Sequence, residues 1–287
     1  MDDIQELHAE FTAEPRRGEG ARVQAGAYLL ELSLDWIVLR ASENIHHLLG
    51  ESHVTLIDEP IGRFVHSQAL HDLRNNFSRL SGTTGIGRAY GVRLTNEPEL
   101  VDIAFHLSSG RILFEAIPSV GPFGGKFGTV GGLAAGFANN RGQALLDGGA
   151  RRMRALTGYD RVTLVCGEER TESSRGAFAA PTDMALQLPA IIADSEAQGV
   201  ALFPRGDEDE SLGDALMCAP DSDTLAALTA AGVRSTLRLP FKGEGGVVGE
   251  FRCECRTACE PSFELHAAAE LFAQFFVLRL EMDRLKG

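Results

Sequence analysis

The stretch Leu156–Cys166, reading LTGYDRVTLVC, constrains this chain more than any other. The residues ahead of it, Ala144 to Leu156 (ALLDGGARRMRAL), space their apolar side chains as a helix does. Thr157-Gly158 ends that helix, because glycine takes a left-handed C-terminal cap without a Cβ penalty. Val162, Leu164 and Cys166 then alternate with Arg161, Thr163 and Val165, the period of two of a half-buried strand. A helix therefore feeds the first strand of a new sheet, with a smaller unit before it and a larger unit after it. The length of 287 residues carries a prior of two domains. A 44% hydrophobic content supplies apolar material for two cores.

In the smaller unit, Ala27–Leu32 and Trp36–Leu39 are apolar runs around Ser33-Leu34-Asp35, a hairpin. Ser42 caps a short helix that runs to Leu49 and closes at Gly50. Ile61–Leu80 has helical spacing through Phe64, Val65, Leu70, Leu73 and Phe77. Ala89–Leu94, Leu100–Leu107 and Arg111–Pro118 read as strands, the last two joined by the tight turn Ser108-Ser109-Gly110. The glycine-rich stretch Gly121–Gly136 fails as a phosphate loop, since Lys126 is followed by Phe127 rather than Ser or Thr, and reads as a flexible linker. The glycines at 136, 142, 148 and 149 predict that the helix after it is interrupted.

In the larger unit, Pro181–Leu188 opens a short helix capped by Thr182 or Asp183, and Ile191–Asp194 is a short strand-like run. The acidic run 206–211 is a solvated loop. Leu225–Ala231 is a helix stopped by Gly232. Val233–Phe241 and Gly246–Cys255 are strands paired around Lys242-Gly243-Glu244-Gly245. Phe263–Lys286 is one long amphipathic helix whose apolar stripe is wider than one domain face needs.

Strand, strand, short helices and three strands is the order of a PAS domain. ASENIHHLLG and VDIAFHLSSGRILFEAIP resemble the phytochrome PAS domain, with His106 before the turn and Glu115 after the apolar run. LTGYDRV, PTDM, AGVRSTLRLPF and VVGEF resemble the phytochrome GAF domain in order and rough spacing. From Val23 to Leu285 the chain thus resembles a bacteriophytochrome-like PAS–GAF photosensory pair. The resemblance implies an α+β fold of two domains, PAS followed by GAF, each an antiparallel β-sheet flanked by helices, with a long C-terminal helix. The implied boundaries are an arm at 1–22, PAS at 23–120, a linker at 121–143 and GAF at 144–287. In that family the arm can pass through a GAF loop as a figure-eight knot, which makes residues 1–20 and the 195–223 insertion the candidate partners here. His106 itself reads as a strand residue without chemistry.

Phytochromes attach their bilin to a Cys near the N-terminus, or to a GAF Cys beside a His. Here no Cys precedes Cys166, Thr224 stands at the His position and Asp223 at the Cys position. The family's Pro-Ala-Ser-Asp-Ile-Pro becomes Ala180-Pro181-Thr182-Asp183-Met184-Ala185, its Tyr becomes Val165, and its arginine-rich helix before Ile191 is missing. The resemblance therefore implies that covalent bilin attachment is lost. Asp183, Thr224, Arg234, Arg238 and Arg161 are the candidate remnant pocket: Asp183 to accept from pyrrole N–H groups, the arginines to face propionates. The plain readings are a helix cap for Asp183 and a solvated strand face for Arg234, Thr236 and Arg238.

The remaining signals bound the function. A net charge of −13 argues against nucleic acid or an anionic membrane as partner. No apolar run is long enough for a membrane span, and the acidic MDDIQELHAEF is no signal peptide. Five cysteines, an odd number, argue for reduced thiols in the cytoplasm rather than a disulfide framework. Cys253, Cys255 and Cys259, with His266 nearby, read as structural thiols, with metal or redox sensing as the alternative. No nucleophile–base–acid set is legible, so no enzyme is expected. A phytochrome-like signalling or regulatory protein is expected, without PHY domain, kinase or resident cofactor. It would act through a protein partner or as a homodimer through the C-terminal helix. The alternative is a sensor whose GAF pocket holds a noncovalent bilin or another small molecule.

Overall fold

The computed structural model describes residues 21–285 except 81–84, 122–123, 138, 179–181, 184–185, 187, 206–209 and 244–245. The smaller unit contains Arg22–Val23 (β1), Tyr28–Leu32 (β2), Val38–Ser42 (β3), His46–Leu49 (α1), His53–Leu56 (α2), Ser67–Ser78 (α3), Gly87–Val92 (β4), Val101–Ser108 (β5) and Arg111–Pro118 (β6). Ser109 and Gly110 both take positive φ, 48° and 74°, which gives the hairpin the hand of twist that its strands need. Gly50 closes α1 in the left-handed region, as its position predicts.

After Phe127–Ala135 (α4) and Gly142–Thr157 (α5) come Arg161–Cys166 (β7), Glu169–Ser174 (β8), Ile191–Ile192 (β9), Val200–Phe203 (β10), Ser222–Ala231 (α6), Ser235–Gly243 (β11), Gly246–Cys255 (β12) and Phe263–Arg284 (α7). Two antiparallel sheets result, ordered β1-β10-β3-β2-β6-β5-β4 and β8-β7-β12-β11-β9. The fold is the expected α+β arrangement with a long C-terminal helix.

Three features depart from the sequence reading. The stretch 121–143 is no bare linker: it holds α4, whose Val130 is buried in the core with the nearby Phe137. Two N–H groups ahead of α4, those of Gly124 and Lys126, donate to Glu264 on α7. Second, α5 runs unbroken through Gly148 and Gly149. A Cβ at 149 would lie 2.6 Å from Phe276 Cε2, so the glycine is what lets α7 approach this closely. The packing of five phenylalanines at 137, 241, 251, 272 and 276, with centroids 5.1–6.2 Å apart, offsets the helix penalty. Third, β10 belongs to the first sheet, where it pairs with β3 and β1, although the chain reaches it from the second sheet.

The first sheet has two buried faces. Leu30, Phe105 and Phe114 pack under α1–α3. Leu29, Ala104, Leu113 and Ile117 face the other way, into one core shared with α5, α7 and the second sheet. Burial on both faces locks the two units together. Around β1 the locking is tighter still. Val23 pairs with Val200 on one side and bridges Cys218 on the other. The Gln24 side chain donates to the carbonyls of Ile191 and Cys218 and accepts from Ala193 N–H. Residues 22–24 thus lie between the two arms of the 193–219 excursion, bonded to both. The expected arm, 1–20, lies outside the described residues.

Candidate functional site

Alternation along the second sheet creates the candidate site. Phe251, Cys253, Val162, Leu164, Leu237 and Leu239 point into the core. Arg161 and Thr163 of β7, Glu250, Arg252 and Glu254 of β12, and Thr236 and Arg238 of β11 take the opposite face by parity. Register places Glu254 between Arg161 and Thr236, and Arg252 between Thr163 and Arg238.

This face is buried rather than solvated: Thr236 is 0% exposed and Arg252 1%. Its charges are paired with one another. Arg161 Nε donates to Glu254 Oε2 at 2.5 Å, and its guanidinium lies 4.0 Å from the Phe178 ring centroid. Glu250 serves two arginines: Oε2 accepts from Arg238 Nε at 2.6 Å, and Oε1 accepts from Arg252 Nη2 at 2.9 Å. Arg252 also donates to the main-chain oxygens of Asp183 (2.6 Å) and Leu186 (3.0 Å). Burial draws the Arg252 pKa down, and the Glu250 carboxylate opposes that pull. Glu254 Oε1 and Thr236 Oγ1 are buried without a hydrogen bond inside the protein, on residues directly opposite each other.

The five predicted residues are thus only partly brought together. Arg161 and Arg238 lie on this face. Asp183 is exposed, and its main-chain oxygen is what meets Arg252. The expected helix over 181–188 is replaced, among the described residues, by a turn from Leu186 N–H to Asp183 O; positions 181, 184, 185 and 187 lie outside them. Thr224 sits in the first turn of α6, where its N–H donates to the N-cap Asp221 at 2.6 Å. Arg234 turns away to grip Asp194 with two bonds, at 2.7 and 3.0 Å, which holds the Asp194 carboxyl below its usual pKa. The solvated-face reading fails for Thr236, which is fully buried, and for Arg238, which is half-buried and bonded to Glu250 and to Leu188 O. Glu250, Arg252 and Glu254 were not singled out from the sequence. Their signal was readable in Gly249–Cys255, GEFRCEC, where charges alternate with apolar residues in a central strand.

A second polar cluster lies between the units. Glu115 on β6, 0% exposed, accepts from Leu216 N–H at 2.9 Å and Met217 N–H at 2.7 Å. Burial pushes its pKa up to about 7, against the pull of those two donors. His106, read as free of chemistry, is buried with neither ring nitrogen hydrogen-bonded inside the protein, and burial lowers its pKa. Arg88 of β4 reaches α7, where Nη2 lies 2.8 Å from His266 Nδ1 and 2.6 Å from Glu270 Oε2. His266 therefore serves the interface rather than the cysteines. Among the described residues no group of three or more His, Cys, Asp or Glu is placed to hold a metal ion.

A bilin held by its propionates on this face of the second sheet would need free cations there. Glu250 and Glu254 instead occupy the arginines there, so these residues do not fit a bilin held in that way. Among the described residues no helix is long and apolar enough to cross a membrane.

No family model and no curated protein matches this sequence. Solved structures do match. The chromophore-binding domain of an unusual bacteriophytochrome from R. palustris superimposes with a TM-score of 0.77 at 18% identity, over 96% of this chain and 99% of that one. The chromophore-binding domain of Stigmatella aurantiaca phytochrome P1 gives 0.72 at 20% identity, over 94% and 98%. The photosensory core module of a phytochrome from the same organism gives 0.74 at 21% identity, and the match covers 60% of it. The chain has the fold of a phytochrome chromophore-binding region.

Proposed function

We propose that this chain is a phytochrome-like sensory or regulatory module that works without covalently attached bilin, through contact with a second copy or another protein. The buried ion-paired face carries the reading. Where a propionate would need cations, Glu250 already bridges Arg238 and Arg252, and Glu254 already holds Arg161. Displacing a buried carboxylate from two guanidiniums costs more than a solvated propionate returns.

A contact surface is supported by α7. Phe275, Leu278, Met282 and Leu285 are 42%, 57%, 53% and 88% exposed, and their spacing of three and four is that of a coiled-coil seam. Light scattering on the wild type and Leu278→Glu tests it. A dimer that becomes a monomer supports the homodimer, and a wild-type monomer moves the search to another protein.

The second reading, a noncovalent tetrapyrrole or other small molecule, is favoured by Glu254 Oε1 and Thr236 Oγ1. They are acceptors left without a hydrogen bond, as pyrrole N–H groups would require. Mixing the protein with biliverdin and recording spectra after gel filtration, before and after red light, separates the readings. A red band that survives gel filtration but is lost on denaturation supports a noncovalent bilin, a band that survives denaturation overturns the first reading, and a spectrum like that of free biliverdin removes bilin from the second.

A further inference from the structure

We propose that Cys255 and Cys259 form a reversible disulfide, with Cys259 meeting the oxidant and Cys255 resolving it. Cys255 is the last residue of β12, and Cys259 lies in the turn that leads into α7. Cys255 and Cys259 both pack against the core of the second sheet, Cys255 buried and Cys259 at its edge. Ser235, which stands opposite Cys255 on β11, places its Oγ 3.0 Å from Cys259 Sγ. Cys259 N–H donates to Ala193 O, which pins the turn over the strand pair. Cys259 is partly exposed whereas Cys255 is buried, so an oxidant from solvent reaches Cys259 first.

The electrostatics agree with that order. The neighbouring Cys255 and the Ser235 hydroxyl draw the Cys259 thiol down, while the neighbouring Cys259 and burial push Cys255 up. Cys253 is fully buried in the core, where burial pushes its thiol up as well, so it is poorly placed to compete.

The oxidant is a hydroperoxide. The Cys259 thiolate attacks one peroxide oxygen, the O–O bond breaks, and the leaving oxygen departs as water or alcohol after taking a proton. This leaves a sulfenic acid on Cys259. Cys255 then gives up its proton and attacks that sulfur. The S–O bond breaks, a second water leaves, and the S–S bond forms. Two thiols have lost two electrons to one peroxide, and a dithiol reductant returns two electrons and two protons. The bond closes a small ring at the joint between the second sheet and α7, one hydrogen bond from the Ala193–Gln24 contact.

The full chain treated with one equivalent of hydrogen peroxide tests this. Free thiols are then alkylated and the protein is digested with trypsin without reductant. Cleavage after Arg252 and Arg256 separates Cys253–Arg256 from Thr257–Arg279 unless a disulfide links them. The linked pair should appear, vanish with dithiothreitol, survive in Cys253→Ala and be lost in Cys259→Ser. In Cys255→Ser, dimedone should trap a sulfenic acid on Cys259. Without peroxide, iodoacetamide at pH 7 should label Cys259 several-fold faster than Cys218. A linked pair that persists in Cys255→Ser, Cys259 joined instead to Cys218, or sulfenic and sulfinic acid accumulating in the wild type without linkage would overturn the assignment.

Discussion

Substituting Glu115→Gln tests how the two units are held together, because the pH dependence it removes has a sign and a size. The wild-type carboxyl moves from an ordinary value of 4.5 to about 7 on folding. Between those pH values the folded state holds a proton that the unfolded state has lost. Raising the pH through this window therefore lowers stability, and above about 7 the loss is complete. A shift of this size corresponds to about 3 kcal/mol at 1.36 kcal/mol per pH unit. Glutamine cannot titrate and keeps one acceptor. One of the Leu216 and Met217 N–H groups is left unpaired, at a cost of about 1–3 kcal/mol at every pH. Burial of His106 works in the opposite direction: with its pKa lowered, it loses stability as pH falls below 6.5. Only the difference between the two proteins isolates Glu115. Urea unfolding from pH 4.5 to 8 should show the wild type losing about 3 kcal/mol relative to Glu115→Gln across the window. Parallel curves would refute the claim that a buried carboxyl at 115 clamps the 216–217 backbone.

Three further expectations are open to the same kind of measurement. Gln24→Ala removes the side chain that holds Ala193 N–H and the carbonyls of Ile191 and Cys218, so the denaturation midpoint should fall by the equivalent of about 2 kcal/mol or more. Gln24→Glu should be worse still, because a carboxylate would face the carbonyls of Ile191 and Cys218; a Glu variant as stable as wild type would contradict this orientation. Gly149→Ala should cost about 1–3 kcal/mol by overpacking Phe276, and Phe276→Leu in the same chain should recover part of it, as thermal unfolding would show. Glu250→Leu alone should cost about 3–5 kcal/mol by removing the carboxylate that Arg238 and Arg252 share, and adding Arg252→Met should restore part of that; a double variant less stable than the single one would refute the pairing.

What could be read from the residues alone was local. Left-handed caps at Gly158 and Gly232, the turn at Ser109-Gly110 and the period of two in β7 and β12 depend on φ and on side-chain direction over a few residues. Steric preference is written at that range. The PAS-then-GAF order came from the resemblance of the chain's motifs to those of phytochromes. Of the five candidate residues, Arg161 and Arg238 share the buried face of the second sheet, where strand alternation puts them.

Tertiary structure decided the rest, since each outcome depends on a partner far along the chain. Gly148 and Gly149 predict a broken helix by propensity, yet α5 continues, and at Gly149 the space a Cβ would need is filled by Phe276, more than a hundred residues away. Val200–Phe203 leaves its own sheet to extend the other because β3 offers an unpaired edge and burial repays the pairing. Arg234 goes to Asp194 and His266 to Arg88, although the sequence places each equally well elsewhere. Charged side chains on a buried face must find opposite charges within reach. The sequence determines which residues share that face, and only the register of β7, β12 and β11 determines which guanidinium each carboxylate takes.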